Sequence, residues 1–313
     1  MSNLVPAPEA EECSSSPHLV PSIEQLPERI VKLGQLDVRR LLPVRGKRLI
    51  GPWCFFDRFG PLEFGSEKPM DVAPHPHIGL QTVTWLLQGE AIHHDSLGSE
   101  CLIRPGQLSL MTAGKGIAHT EETPRQNSGH LDGAQLWVAL PSQDRNIHPM
   151  YQCTSLQPSA EHSGGIITTI LGDFDGVISS GKQFSPGVGV EIAVHPGSRM
   201  ELPLDPSYEY GIVVVQGEAK VMDTVLKPNV LYYLGLNRRE LDLSSHEGAR
   251  LLLIGGVPFQ EKILMWWNFV AGSSEELLAA RTDWENHERF GDVPTYQGQR
   301  IPAPSFIGKP VSS

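Results

Sequence analysis

No stretch of this 313-residue chain stays apolar over the ~20 residues that a membrane-spanning helix needs, so such a helix is not expected. No block of Lys and Arg supplies the basic footprint that phosphate contacts require, which sets aside direct nucleic-acid binding. The formal charge is −11, from 25 Lys and Arg against 36 Asp and Glu, and it is spread along the chain. The opening "MSNLVPAPEAEECSSSPHLVPS" lacks the basic region and apolar core of a secretory leader, and residues 1–30 read as a polar, flexible lead-in. Cysteine is scarce. Cys13, Cys54, Cys101 and Cys153 lie far apart with no CxxC pair, which points to free thiols in a reducing, cytoplasmic setting.

Glycine (31) and proline (26) are abundant, and they separate short β-branched or alternating runs such as "QTVTWLLQGEAIHHDS", "GIITTILGDF" and "YGIVVVQGEAKVM". Many short strands punctuated by turn residues indicate an all-β sandwich or barrel. One helix is expected late, in "SSEELLAARTDWENHERF", where Ser273 and Glu276 form a capping box and Leu277, Ala280 and Trp284 recur at helical spacing. Two sets of strand runs each contain a strand ending in "QGE", at Gln88-Gly89-Glu90 and at Gln216-Gly217-Glu218. This weak repeat suggests two related barrels in tandem, residues 31–150 and 151–313, divided near "PSQDRNIHPMYQCTSLQPSAEHSG".

"APHPHIGLQTVTWLLQGE" places His75 and His77 one residue apart. In a strand, residues i and i+2 share a face about 6.5–7 Å apart, so both imidazoles can converge on one ion. Two ligands are too few, but "TAGKGIAHTEETP" supplies a second pair of the same form, His119 and Glu121. Three neutral imidazoles and one carboxylate suit a divalent transition ion: Fe(II), Mn, Co, Ni or Cu. Four ligands on an ion that accepts six leave positions for substrate or O2.

At these residues the sequence resembles the two metal-binding motifs of the cupin superfamily in the form found in pirins: "HPHIGLQTVTWLLQGEAIHHDSLG", then "PGQLSLMTAGKGIAHTEE". The later "EGARLLLIGGVPFQEKILMWWNFVAGSSEELLAARTDW" is similar to the pirin C-terminal domain. The resemblance implies a bicupin: two antiparallel, jelly-roll-like β-barrels, with a few short helices near the C-terminus and metal only in the first barrel. His75, His77, His119 and Glu121 match the ligand positions, with Fe(II) the usual ion. It also implies quercetin 2,3-dioxygenase activity on a flavonol and O2, or regulation through a protein partner. Cupins commonly carry a glutamate three or four residues after H-x-H. Here the residue is Gln81, which strand parity assigns to the histidine face and to a hydrogen-bonding role.

In the second barrel Ser207, Tyr208, Glu209 and Tyr210 stand where the first pair is expected, so no metal is expected there, and His246 reads as a surface residue. His93 and Asp95 share a face if their strand continues; the pair either orients a ligand or, for Asp95, serves turn chemistry. Phe56, Trp85 and Met111 are candidate pocket walls, with Gln81 and His93 as candidate polar groups beside them. "MWWNF" (Met265–Phe269) reads as packing between elements. In the enzyme reading, Glu121 is the base that takes the flavonol hydroxyl proton.

Overall fold

The computed structural model describes residues 8–33, 36–65 and 69–306. Two barrels, each a seven-stranded sheet facing a four-stranded one, account for most of the strands. In the first, the long sheet runs Met150–Leu156, Gln107–Thr112, Leu80–Gly89, His130–Ala139, Trp53–Glu63, Leu36–Leu42, Arg29–Leu33; the short one runs Asp71–His77, Ile117–Glu122, Ala91–Asp95, Glu100–Ile103. The second barrel repeats this order with Glu24–Gln25, Leu231–Gly235, Glu209–Gly217, Ala249–Gly256, Gly187–Val194, Gly165–Leu171, Ser159–His162 against Ser198–Pro203, Glu240–Ser245, Ala219–Val221, Thr224–Leu226. The two "QGE" motifs end equivalent strands, Leu80–Gly89 and Glu209–Gly217, so the weak sequence repeat is a structural one.

Four expectations about the course of the chain and its cysteines need correction. The described part of the lead-in is built into the fold: Glu11–Cys13 pairs with Ile263–Met265, and Glu24–Gln25 adds an edge strand to the second barrel. A polar segment can do this because strand pairing draws on backbone groups, which every non-proline residue carries. The division between barrels falls after Leu156, since Met150–Leu156 is an edge of the first barrel's sheet. The C-terminal stretch then returns to the first barrel. Trp266, Phe269, Leu277, Ala280 and Trp284 pack against Ile78 and Ala118, next-door neighbours of His77 and His119. Finally, only two cysteines are free, Cys13 and Cys54, because a disulfide joins Cys101 to Cys153 across open edges of the first barrel's two sheets.

Among the described residues there is one helix, Ser274–Glu285, rather than several. Leu277, Ala280 and Trp284 are its buried face, as their spacing predicts. Ser273 Oγ accepts from the Glu276 amide, but the Glu276 carboxylate accepts from Gly272 rather than from Ser273, so the box closes one residue early. Among the described residues no helix is long and apolar enough to cross a membrane.

Alternation along Leu80–Gly89 divides its side chains between two layers. Val83, Trp85 and Leu87 belong to the apolar layer between the barrels, together with Phe56, Leu136, Val213, Leu252 and Ile254, whereas Leu80 and Leu86 face the first barrel's interior. The second barrel's interior is filled by aliphatic and aromatic side chains, among them Met200, Leu202, Tyr210, Ile212 and Leu243.

Candidate metal centre

His75 and His77 end the strand Asp71–His77, and antiparallel pairing sets His119 of Ile117–Glu122 directly opposite His75. Gly79 then turns the chain into the other sheet with φ +70°, and a Cβ there would stand 2.0 Å from the Val270 carbonyl oxygen. Only glycine meets both demands without strain.

One ring nitrogen from each of His75, His77 and His119 lies within 4.8 Å of the others. All three residues are at most 1% exposed. His75 Nδ1 is 2.9 Å from the Ala73 carbonyl and His77 Nδ1 is 3.0 Å from the Asn268 carbonyl. A carbonyl only accepts, so in both rings Nδ1 carries the proton and Nε2 the lone pair. Nε2 of His75, Nε2 of His119 and Oε2 of Glu121 are buried without a hydrogen-bond partner. Leaving such groups unsatisfied costs about 1–3 kcal/mol each, so three in one barrel interior imply something that binds them. A divalent transition ion fits this donor set, nitrogen-rich with one carboxylate nearby.

Glu121 is not within the 4.8 Å group, although it shares a face of its strand with His119. The pairing slips at this point: Glu121 stands opposite Val72, and Ala73 and Pro74 together face Thr120. Pro74 has no N–H to donate, which accommodates the bulge. The Thr84 hydroxyl lies beside Glu121, and burial pushes the carboxyl pKa above its ordinary value.

Burial acts on the imidazoles in the opposite sense. It pushes His75 down from 6.5 to about 3, and it pushes His77 and His119 well below 6.5, so the three rings stay neutral, the form a metal ion requires, through mildly acidic pH. Because these folded-state values lie below the unfolded one, the unfolded chain takes up protons first as pH falls. The metal-free protein is therefore expected to lose stability progressively from pH 6.5 toward 3, with Glu121 opposing weakly; thermal melts across this window check it. Flat melts would show that the histidines are not held neutral.

His93 touches the centre. Its Nδ1 is 3.3 Å from His119 Nδ1, its Nε2 is 3.1 Å from Asp95 Oδ2, and its ring stacks on Tyr151 at 4.0 Å. Asp95 Oδ1 also accepts from the Leu97 and Ser99 amides, the turn chemistry weighed for it, while Oδ2 faces His93. Met111 lies in the interior cluster that includes Phe55 and Trp137, and Trp137 packs edge-on at 5.2 Å to His77.

Gln81, Trp85 and Phe56 do not line the centre. Trp85 Nε1 donates to Glu191 of the second barrel, Phe56 is in the layer between barrels, and Gln81 Nε2 donates to Thr112 and to the Lys182 carbonyl. The parity argument fails because Gly79 moves the chain from one sheet to the other, which resets the alternation. Counted back from the two "QGE" ends, Gln81 is the counterpart of Glu209, and each reaches across the interface: Gln81 to Lys182, Glu209 to the Gly51 amide and Lys47. Glu209 thus does not replace a histidine ligand. Ser207 sits in a turn bonded to Asp205, and the strand equivalent to Asp71–His77 is Ser198–Pro203. His246 is exposed, as expected.

The sequence reading missed Thr84, Trp137, Tyr151 and the Asn268 carbonyl. Thr84 was within reach of an alternation argument started at Leu80; Asn268 is distant in sequence and carries no local signal.

Residues 35–138 match the pirin family and residues 189–291 match the pirin C-terminal cupin domain. The chain belongs to the pirin family. This pirin is 45% identical over 277 residues, 88% of each chain, to a Pseudomonas aeruginosa protein provisionally named quercetin 2,3-dioxygenase. It is 27% identical over 257 residues to human pirin, covering 80% of this chain and 86% of that one. A crystal structure of quercetin 2,3-dioxygenase from Acinetobacter baumannii superposes with a TM-score of 0.88 at 42% identity, covering 92% of this pirin and 96% of that chain.

Proposed function

We propose that this pirin is a metal-dependent dioxygenase that opens the central ring of a flavonol such as quercetin with O2, releasing carbon monoxide. The observation that carries the reading is the set of unsatisfied buried donor atoms on His75, His119 and Glu121 in one barrel. The names of the Pseudomonas and Acinetobacter relatives supply the substrate class. His75, His77 and His119 would hold the ion through nitrogen, Fe(II) first among the candidates. A divalent transition ion at this point supplies Lewis acidity toward a substrate hydroxyl and access to O2 chemistry. Glu121 then takes the proton of the flavonol 3-hydroxyl at Oε2. Its raised pKa suits a base that must hold the proton and later return it. Thr84 steadies the carboxyl, and Phe55, Met111 and Trp137 keep water from the reacting face.

A second reading, a centre that reports metal or redox state to a protein partner, is favoured by one specific observation. All four residues are at most 4% exposed, so the centre is enclosed within the barrel. The cavity bordering Trp137, between Pro8–Glu11 and Trp266–Trp267, holds about 80 Å³, against roughly 300 Å³ or more for typical small-molecule sites. Flavonol binding at this face would require that strap to move.

The test is quercetin consumption under air by metal-quantified protein, with carbon monoxide detection. Glu121→Gln is expected to keep its metal, held by three histidines, and to lose about 100- to 10,000-fold in turnover. Metal loss in that variant would make Glu121 a ligand rather than the base. No turnover by protein loaded separately with Fe, Mn, Co, Ni and Cu would reject the dioxygenase and leave the partner-binding reading.

A further inference from the structure

We infer that His93 and Asp95 form a relay that sets the tautomer of His119, so that they are positioning residues for the metal centre; the inference rests on the metal-site reading above. His75 and His77 need no such device. Backbone carbonyls of Ala73 and Asn268 hold their Nδ1–H groups, and a carbonyl cannot do otherwise than accept. His119 has no carbonyl at Nδ1. Its partner is another imidazole nitrogen, His93 Nδ1 at 3.3 Å, and an imidazole nitrogen can be donor or acceptor.

The neighbours remove this ambiguity. Asp95 Oδ1 is occupied by the amides of Leu97 and Ser99, at 2.9 and 3.0 Å, and Oδ2 faces His93 Nε2 at 3.1 Å. A carboxylate accepts, so His93 carries its proton on Nε2 and presents a lone pair at Nδ1. That lone pair accepts Nδ1–H of His119, and the His119 lone pair is left on Nε2, the buried atom with no partner. Tyr151, stacked parallel on the His93 ring and tied to Ser109 through its hydroxyl at 2.9 Å, holds the ring plane. Asp95 thus dictates, through two imidazoles, which nitrogen His119 offers.

Asp95→Asn tests this. The amides of Leu97 and Ser99 require an acceptor, so they hold the asparagine oxygen and turn its NH2 toward His93. His93 Nε2 must then accept, its proton moves to Nδ1, and His119 is driven to carry its proton on Nε2. Long-range 1H–15N correlation spectra of the metal-free protein are expected to show His119 switching from Nδ1–H to Nε2–H. Co(II) affinity, measured by chelator competition, is expected to fall about 10- to 100-fold. His93→Gln, whose amide oxygen can accept from His119 whatever stands at 95, is expected to bind Co(II) more tightly than His93→Leu and to keep that affinity when combined with Asp95→Asn. The relay is overturned if His119 keeps Nδ1–H in Asp95→Asn, if Co(II) affinity there is unchanged, or if His93→Gln is no better than His93→Leu. None of these readouts uses quercetin. An absence of turnover would therefore reject the dioxygenase without touching the relay, and the tautomer shift is read without metal.

Discussion

His77→Ala is expected to reduce bound metal from about one ion per chain to under a tenth, as is His119→Ala, because removing a ligand costs at least the ~100-fold that removal of a supporting residue costs. The fold should survive. His77 is neutral and buried, so its loss deletes one hydrogen bond to the Asn268 carbonyl and opens a small cavity, while the apolar cluster that covers it, Trp266, Phe269, Leu277 and Trp284, stays in place. Metal analysis of the purified variants decides the matter, with melting curves as the control. Full metal content in both variants would place the ion elsewhere. Quercetin turnover, where the parent has it, should fall in step with metal content.

Glu209→Ala should cost about 3–5 kcal/mol of stability without touching the metal centre. Glu209 is fully buried, accepts from the Tyr233 hydroxyl at 2.7 Å and the Gly51 amide at 2.8 Å, and faces Lys47 Nζ at 3.8 Å. Lys47 is itself 2% exposed, lies over the Tyr233 ring, and donates to the Ser16 carbonyl. Without the carboxylate a buried ammonium loses its nearest counter-charge, with Glu24 left as a more distant one, and the Gly51 amide loses its acceptor. The expected result is a melting temperature lower by roughly 5–15 °C with metal content unchanged. Lys47→Met combined with Glu209→Leu should recover much of the loss, because an apolar pair leaves no uncompensated charge. If Glu209→Ala melts like the parent, the interface is held by its apolar layer alone.

The residues behind these two effects differ in how far the chain alone reveals them. The cluster of His75, His77 and His119 was legible because metal chemistry needs several donors on one face, and a strand states this locally in the spacing of His75 with His77 and of His119 with Glu121, although Glu121 stands outside the cluster. The all-β character, the doubled barrel and the buried face of the helix were legible for the same reason: each is carried by alternation, turn residues or a 3.6-residue period within a short window. Glu209 was misread. From the sequence it stood near a ligand position of the second barrel, and only the equivalence of the two "QGE" strands shows it to be the partner of Gln81 across the interface.

What the sequence by itself determined is thus what lies within one element: strand or helix, inward or outward relative to its neighbours, and which donor side chains stand two residues apart. Tertiary structure decided the rest. Gly79 switches sheets, which turns Gln81 and Trp85 away from the three histidines and into the contact between barrels. Cys101 meets Cys153 and Tyr151 stacks on His93 because an apparent linker is a sheet edge. Residues 8–25 and 263–306 leave the barrel nearest in sequence to join or cover other elements, and one of them lends the Asn268 carbonyl to His77. In each case the partner is many residues away, and local periodicity has no information about which distant backbone group or ring will satisfy a buried side chain.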